Sequence, residues 1–247
     1  MKNSYIHIAP WYDELMSHVP YLQWSQYIHR IFKAFRFQPD KILELGCGTC
    51  RLANLMNEKL PASLTVYSDL SFAMLSKYQG KEPINRMAID MKHLPFKTGF
   101  HFIYLLYDAF NYLTSVKEVR QLFREVRRTL LPGGYFLFDI TTEHNSKTYF
   151  LDYAEVGIFQ GIEIARRSYY DIKKKIQHNV FNFYFPQTGK NHFDKVTESH
   201  MQRIYSPEEI INLLADCRLN ICGIYAGFSF QKPGPASERI HFLVQRP

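Results

Sequence analysis

The sequence predicts an α/β fold: a largely parallel sheet covered by helices on both faces, carrying an antiparallel β insertion. Three observations support this. From Lys41 to Ile140, short apolar runs alternate with amphipathic helical stretches, the pattern of parallel strands joined by crossover helices. After about His144 the period changes to apolar/polar alternation, which suits an antiparallel meander. From Ser206 a helical pattern resumes, and two more apolar runs follow.

The first strand is Ile42-Leu43-Glu44-Leu45, apolar enough to be buried on both faces. Gly46 and Gly48 then let the backbone turn and approach a ligand without a Cβ in the way. Leu52, Leu55, Met56 and Leu60 at helical spacing before Pro61 predict a helix whose N-terminal amides face that ligand. The second strand, Leu64 to Tyr67, runs into Ser68-Asp69, placing an acid 23 residues after Gly46 (69 − 46). In a Rossmann-type unit an acid there accepts hydrogen bonds from ribose hydroxyls. Ser71 is the expected cap of a helix carrying Phe72, Met74, Leu75 and Tyr78, with Gly80 at its exit. A third strand, Arg86 to Ile89, ends at Asp90, so acids close three successive strands: Glu44, Asp69 and Asp90.

Farther on, Phe102 to Tyr107 is the longest apolar or aromatic run, too short to span a bilayer. Ser115 and Glu118 have capping-box form for a helix from Val116 to Leu130. Its apolar side is Val119, Leu122, Phe123, Val126 and Leu130, and Arg120, Arg124, Arg127 and Arg128 are its solvated face. Pro132-Gly133-Gly134 stops it before a fifth strand, Tyr135 to Ile140. Ile162 to Arg166, Phe181 to Phe185 and Val196 to Tyr205 read as strands of the meander, with a turn at Pro186-Gln187-Thr188-Gly189. Ser206, Pro207 and Glu209 then fit the N-cap, first position and capping-box acid of a last helix, and Ile221 to Ala226 and Ile240 to Gln245 close the sheet.

These residues carry a family resemblance. Glu44-Leu45-Gly46-Cys47-Gly48-Thr49, Asp69-Leu70-Ser71 with Met74-Leu75, Asp90-Met91 with Leu94-Pro95-Phe96, and Tyr107-Asp108 with Asn111-Tyr112-Leu113 together resemble the motifs of class I S-adenosylmethionine-dependent methyltransferases. Tyr12 to Met16 and Pro20 to Trp24 look like the N-terminal lid of the small-molecule subgroup, which includes amino-sugar N-methyltransferases. The resemblance implies a Rossmann-like, seven-stranded sheet whose final strand is antiparallel. It divides the chain into a core of residues 1–144 and 206–247, with a helical lid over 1–38, and a substrate-side β cap over 145–205. One departure stands out: Cys50 occupies the place of the family's third glycine.

From charge and resemblance, the cofactor S-adenosyl-L-methionine, giving S-adenosyl-L-homocysteine, is expected against Trp24, Glu44, Gly46, Cys47, Gly48, Asp69, Leu70, Met74, Asp90, Met91 and Tyr107. Glu44 and the Gly46 carbonyl would face the methionine ammonium, Asp69 the ribose hydroxyls, and Asp90 with the Met91 amide the adenine. Tyr12 is the candidate for lining the methyl-transfer channel and His200 the candidate general base, since an imidazole can take a proton near neutrality. Asn111 and Arg203 are candidate substrate contacts, and Tyr169, Tyr170, His178, Asn182 and Tyr184 are further polar groups of the cap.

Composition fits a compact soluble enzyme of 247 residues, with 46% apolar content sufficient for one large core. No signal peptide is expected, because His7, Pro10 and Asp13 interrupt any apolar stretch, and four cysteines without a framework pattern suit a reducing cytoplasm. Cys47-x-x-Cys50 is expected to be a pair of buried structural thiols, in preference to a redox or metal site, and no metal is expected. The net charge of +7 raises an RNA reading, but Lys173-Lys174-Lys175 falls between two strands, where a charged turn is ordinary. A small-molecule acceptor is therefore expected ahead of nucleic acid, with no membrane association and a monomeric or homodimeric state. The alternatives are an RNA methyltransferase and a catalytically silent cofactor-binding protein. A nicotinamide-dependent oxidoreductase fits less well, since its third glycine would fall at Arg51.

Overall fold

The computed structural model describes residues 5–57, 62, 64–80, 82–187 and 192–247. The chain opens with α1 (Tyr12–Leu15) and α2 (Tyr21–Ala34). There follow β1 (Lys41–Leu45), α3 (Arg51–Asn57), β2 (Leu64–Asp69), α4 (Phe72–Leu75), β3 (Asn85–Ala88) and β4 (Phe100–Leu105). A 3-10 turn (Ala109–Tyr112) leads to α5 (Val116–Thr129), β5 (Leu130–Thr141) and α6 (Glu143–Tyr149). Then come β6 (Asp152–Phe159), β7 (Ile162–Asp171), β8 (Ile176–Pro186), β9 (Phe193–Arg203), α7 (Pro207–Asp216), β10 (Asn220–Ala226) and β11 (Arg239–Gln245).

Seven strands form one sheet in the order β10-β11-β5-β4-β1-β2-β3. β1 to β5 run parallel, and β11 lies antiparallel between β5 and β10. The chain reverses direction across the sheet between β1 and β4. That reversal opens a crevice beyond their carboxyl ends, where open α/β sheets bind ligands.

The two-residue period of the strands divides the core into two layers. Leu43, Leu45, Ile103, Leu105, Phe136 and Phe138 pack with Val119, Leu122, Phe123 and Val126 of α5. On the other face Ile42, Phe102 and Tyr104 pack with Trp24, Tyr27, Ile28, Ile31 and Phe32 of α2. Each of the large side chains buried this way contributes roughly 1.5 to 3 kcal/mol, which fixes both helices against the sheet. α5 and α7 begin with the expected capping boxes, at Ser115 with Glu118 and at Ser206 with Glu209.

Some boundaries differ from the sequence reading. α4 is one turn, not a helix reaching Tyr78, because the Tyr78 hydroxyl is drawn to Asn54 Oδ1 (2.8 Å) and the Glu82 carbonyl (2.9 Å). α5 stops at Thr129 and β5 starts at Leu130, since Gly133 and Gly134 bond to the Arg246 backbone and carry the strand back through Pro132. Met1 to Ser4, Leu60, Pro61, Thr188 and Gly189 lie outside the described residues.

The second sheet is a four-stranded antiparallel meander, β6-β7-β8-β9, contained within residues 152–203. β6 has no clear apolar alternation and is mostly exposed at the edge, which is why the sequence did not announce it. The meander is tied to the loop after β4 by one side chain and one carbonyl of β9. Gln202 Nε2 donates to the Asp108 carbonyl (3.4 Å), and the Arg203 carbonyl accepts from Asn111 Nδ2 (2.7 Å). Glu198 fastens the N-terminal segment, accepting from the backbone N–H groups of Tyr5, His7 (2.8 Å) and Ile8 (3.2 Å).

Candidate active site

A cavity opens at the crevice beyond β1 and β4. Its floor is the Gly46-Cys47-Gly48-Thr49 turn. Both glycines have left-handed backbones, with φ of +65° at Gly46 and +58° at Gly48. A Cβ at Gly46 would stand 3.0 Å from Ala109 Cβ, so the turn needs glycine for its space as well as for its φ. Thr49 donates to Asp13 Oδ1 (2.5 Å), which ties this turn to α1.

Two acids line the cavity, as their strand-end positions predicted. Asp69 accepts from Gly48 N–H (2.9 Å) and Ser71 N–H (2.8 Å), so both oxygens are oriented while keeping lone pairs for a hydroxyl donor. Burial raises its pKa, against those amides and that of Leu70, which lower it. Glu44 is 5% exposed, and burial, aided by the Asp69 charge, pushes its pKa up to about 8 against a lowering hydrogen bond from Tyr104. A buried carboxylate is costly unless a cation accompanies it. The Glu44 position therefore matches a ligand ammonium, and Asp69 matches a diol. An amino-acid-bearing nucleoside fits this pair of acceptors.

Tyr12, Trp24, Cys47, Leu70, Met74, Met91 and Tyr107 also line this cavity. Asp90 does not. Its Oδ1 accepts from Lys92 N–H (2.9 Å), and Lys92 Nζ stands 3.8 Å from Oδ2. Tyr107 and Asp108 turn the chain after β4 with φ of +59° and +61°. Left-handed backbone at two consecutive non-glycine residues is strained, and such strain persists where the surroundings over-determine it. Here Arg239 supplies that restraint: it donates to Asp108 (2.6 Å) and Asp139 and lies over the rings of Trp24 (5.4 Å) and Tyr107 (5.3 Å). Burial opposes the Arg239 charge, but the two carboxylates outweigh it and raise its pKa.

A second, more polar cavity adjoins the first under the meander. Tyr5, Tyr12, Tyr107 and Tyr112 line both, so the two chambers meet at a throat of phenols. The Tyr5 and Tyr112 hydroxyls bond to each other. Burial raises the pKa of each of these four groups, Tyr107 to about 12. They therefore remain neutral hydrogen-bonding groups at physiological pH and are not bases. His200 lines the second chamber, with Nε2 3.1 Å from Glu198 Oε1. Neither ring nitrogen has an aligned hydrogen-bond partner among the described residues, so this approach is a close contact without hydrogen-bond geometry. Burial disfavours the Glu198 charge, but the His200 imidazole and the His7 and Tyr5 amides hold its pKa below the usual carboxylate range.

Asn111 and Arg203, expected at the substrate, are placed elsewhere. Asn111 is fully buried and spends its amide on the Arg203 carbonyl and the Thr141 N–H (3.1 Å), fastening β9 to β5. The Arg203 guanidinium turns to Glu209 (3.1 Å) and lies over Tyr205 (4.7 Å). Tyr169, Tyr170, His178, Asn182 and Tyr184 do not line either chamber. β8 places Gln177, Asn179 and Phe181 in the cavity wall, so the intervening His178 points the other way and stacks on Tyr169 (4.5 Å). Tyr5, Tyr112 and Arg166 line the chambers without having been singled out in the sequence. Arg166 shares the parity of Ile162 and Ile164, an inward signal that was there to be read.

Cys47 and Cys50 are buried with their sulfurs 3.3 Å apart. Burial, foremost among the causes, raises the pKa of Cys47, so its thiol is a poor nucleophile.

Known proteins resemble this chain in sequence and in fold. A methyltransferase domain model matches residues 42–134. YqeM of Bacillus subtilis (strain 168), which carries a provisional methyltransferase name, is 30% identical over 241 residues, 95% of this chain and 94% of its own length. Among solved structures, an S-adenosylmethionine-dependent methyltransferase from Clostridium acetobutylicum ATCC 824 is similar with a TM-score of 0.81 at 24% identity, covering 98% of this chain and 99% of that one. The amino pentose methyltransferase CalS10 from Micromonospora echinaspora, solved with S-adenosylmethionine bound, is similar with a TM-score of 0.71 at 17% identity, covering 93% and 92%.

Proposed function

The chain belongs to the class I S-adenosylmethionine-dependent methyltransferases, and on that premise we propose that it methylates a small polar molecule enclosed beneath the β meander. The observation that carries this reading is the shared phenolic throat. A cofactor-type chamber with two acids opens through Tyr5, Tyr12, Tyr107 and Tyr112 into a second chamber of small-molecule scale.

Bound S-adenosylmethionine supplies a methyl group already activated on a sulfonium. The residues of this chain hold and align. Glu44 and the Gly46 carbonyl receive the ammonium, Asp69 receives the ribose hydroxyls, and Met91 with Leu70 and Met74 borders the base. Trp24 and Tyr107 close over the tail. Alignment is the main demand on the protein, and positioning of this kind is worth roughly 7 to 11 kcal/mol in favourable cases.

Tyr12 lies in the throat and orients the acceptor's nucleophilic atom by a neutral hydrogen bond. Where that atom arrives protonated, His200 takes the proton in this reading, and Glu198, 3.1 Å from Nε2, stabilises the resulting imidazolium. The meander encloses the acceptor and keeps bulk water from the throat.

Calorimetry with S-adenosylhomocysteine, followed by a methyl-transfer screen against a pool of small metabolites, tests the proposal. Asp69→Ala is expected to weaken the nucleoside about tenfold or more, because charge-assisted hydrogen bonds are lost. His200→Ala is expected to lower turnover with little change in nucleoside affinity. Absence of binding in folded protein would refute the reading.

A further inference from the structure

Arg166 stands out in the second chamber. It sits in mid-strand on β7, its side chain is only 16% exposed, and it lines the cavity wall. Its guanidinium lies between the rings of Phe150 (5.4 Å), Tyr153 (5.5 Å) and Phe181 (5.5 Å), which fix its plane. Nε donates to Ser168 Oγ (3.1 Å) and Nη2 to Asn179 Oδ1 (3.2 Å). Both acceptors are neutral, so they orient the group without balancing its charge.

A guanidinium offers five N–H donors, and these bonds use two of them. Among the described residues its acidic partner is Glu155, 3.5 Å from Nη1. That carboxylate is 46% exposed on the edge strand β6 and also accepts from the Tyr153 hydroxyl (2.6 Å). Water screens a pair of this kind, so it compensates the cation weakly. Arg239 shows the contrast: it is held by Asp108 and Asp139 together. Asp108 is the acid in the wall of the second chamber, and it is engaged by Arg239, which it shares with Asp139, and makes no ion pair with Arg166 among the described residues. The chamber therefore presents a positioned cation with donors to spare.

We propose that Arg166, oriented by Ser168 and Asn179, is an anion subsite that holds a carboxylate or phosphate carried by the methyl acceptor. This rests on the transferase reading of the adjoining cavity and adds a chemical class to its substrate. The planar fork of the guanidinium matches two oxygens of either anion, and a neutral amide or hydroxyl in the same place would leave its charge unanswered.

The test is calorimetric titration with inorganic phosphate, acetate and the neutral control acetamide at constant ionic strength, with and without saturating S-adenosylhomocysteine. Phosphate or acetate is expected to bind saturably and acetamide not to bind. Arg166→Gln is expected to weaken the anion about tenfold or more, leaving S-adenosylhomocysteine affinity unchanged. Glu155→Gln removes a competing carboxylate from an exposed edge strand and is expected to tighten anion binding about threefold. Failure of both anions to bind, equal affinity in Arg166→Gln, or no tightening in Glu155→Gln would overturn the subsite. If Arg166→Gln fails to fold, Glu155→Gln decides alone. Anion binding in a protein that gives no heat with S-adenosylhomocysteine would count against the transferase reading and leave the subsite standing.

Discussion

The Tyr104 hydroxyl donates a 2.9 Å hydrogen bond to Glu44 Oε2, joining two residues that face each other in the register of β1 and β4. Both side chains are buried at the sheet's centre, and Glu44 lines the cavity together with the glycine turn. One donor does not offset the loss of water around the acid, and burial holds its pKa near 8. The folded chain thus keeps an acid poised for a cation.

Glu44→Gln is expected to weaken S-adenosylhomocysteine binding by about 10- to 100-fold, the worth of a charge-assisted contact of roughly 1.5 to 3 kcal/mol. The same change is expected to stabilise the ligand-free protein at pH 8. The folded chain holds the Glu44 proton up to about pH 8, whereas the unfolded chain releases it near 4.5. Across that window the folded state binds more protons, so this acid's contribution to stability falls as pH rises, by about 1.4 kcal/mol per pH unit for one proton. Urea unfolding of both proteins at pH 5 and pH 8 checks it: the wild-type deficit relative to Glu44→Gln must grow with pH.

Nucleoside affinity is expected to depend on pH through the same group. Below about pH 8 the ammonium must displace a proton from Glu44, so S-adenosylhomocysteine binds more tightly as pH rises from 6 toward 8, with proton release. Well above 8 the ligand's ammonium loses its own proton and the affinity declines again, later than for a chain N-terminus because the ligand's neighbouring carboxylate holds that proton. Calorimetry in buffers of different ionisation enthalpy measures the release directly. A flat profile would remove Glu44 from the ammonium site.

Glu198→Ala is expected to free the N-terminal segment, because one carboxylate receives the backbone N–H groups of Tyr5, His7 and Ile8. Tyr5 belongs to the throat, where its ring lies 4.5 Å from His200 and its hydroxyl bonds to Tyr112. Amide exchange over residues 5–16 should accelerate, and S-adenosylhomocysteine should dissociate faster. Unchanged exchange would show that the segment is held by Ile8 packing on Ile164, Phe181 and Phe183 instead.

The lining of the first chamber was legible because it is local. Glu44, Gly46, Gly48 and Asp69 sit at strand ends and in one turn, and their positions depend on spacing more than on long-range packing. The second chamber was less so. Its polar wall depends on which parity of each cap strand faces inward, which pairing decides: in the register of β7 and β8, Tyr169 and His178 pair on the outer face, and Asn179 comes in beside Arg166. Tyr5 and Tyr112 lie 107 positions apart, with no motif linking them before the chain folds. Arg203 and Asn111 carried plausible chemistry, but tertiary hydrogen bonds claimed both.

Cys50 tests how far the turn tolerates a side chain. It has φ of +61° and is fully buried, so a Cβ residue occupies the left-handed conformation where the family resemblance leads one to expect glycine. Left-handed backbone costs a residue with a Cβ about 1 to 2 kcal/mol. Cys50→Ala keeps that cost and loses the sulfur beside Cys47, whereas Cys50→Gly loses the sulfur and sheds the strain. The glycine variant is therefore expected to be more stable than the alanine variant by about 1 kcal/mol, the reverse of the usual order for these two residues. It should also bind S-adenosylhomocysteine about as tightly as the parent, since Cys50 does not line the cavity. An alanine variant equal to or above the glycine variant in urea unfolding would mean that sulfur packing, and not backbone conformation, governs this position.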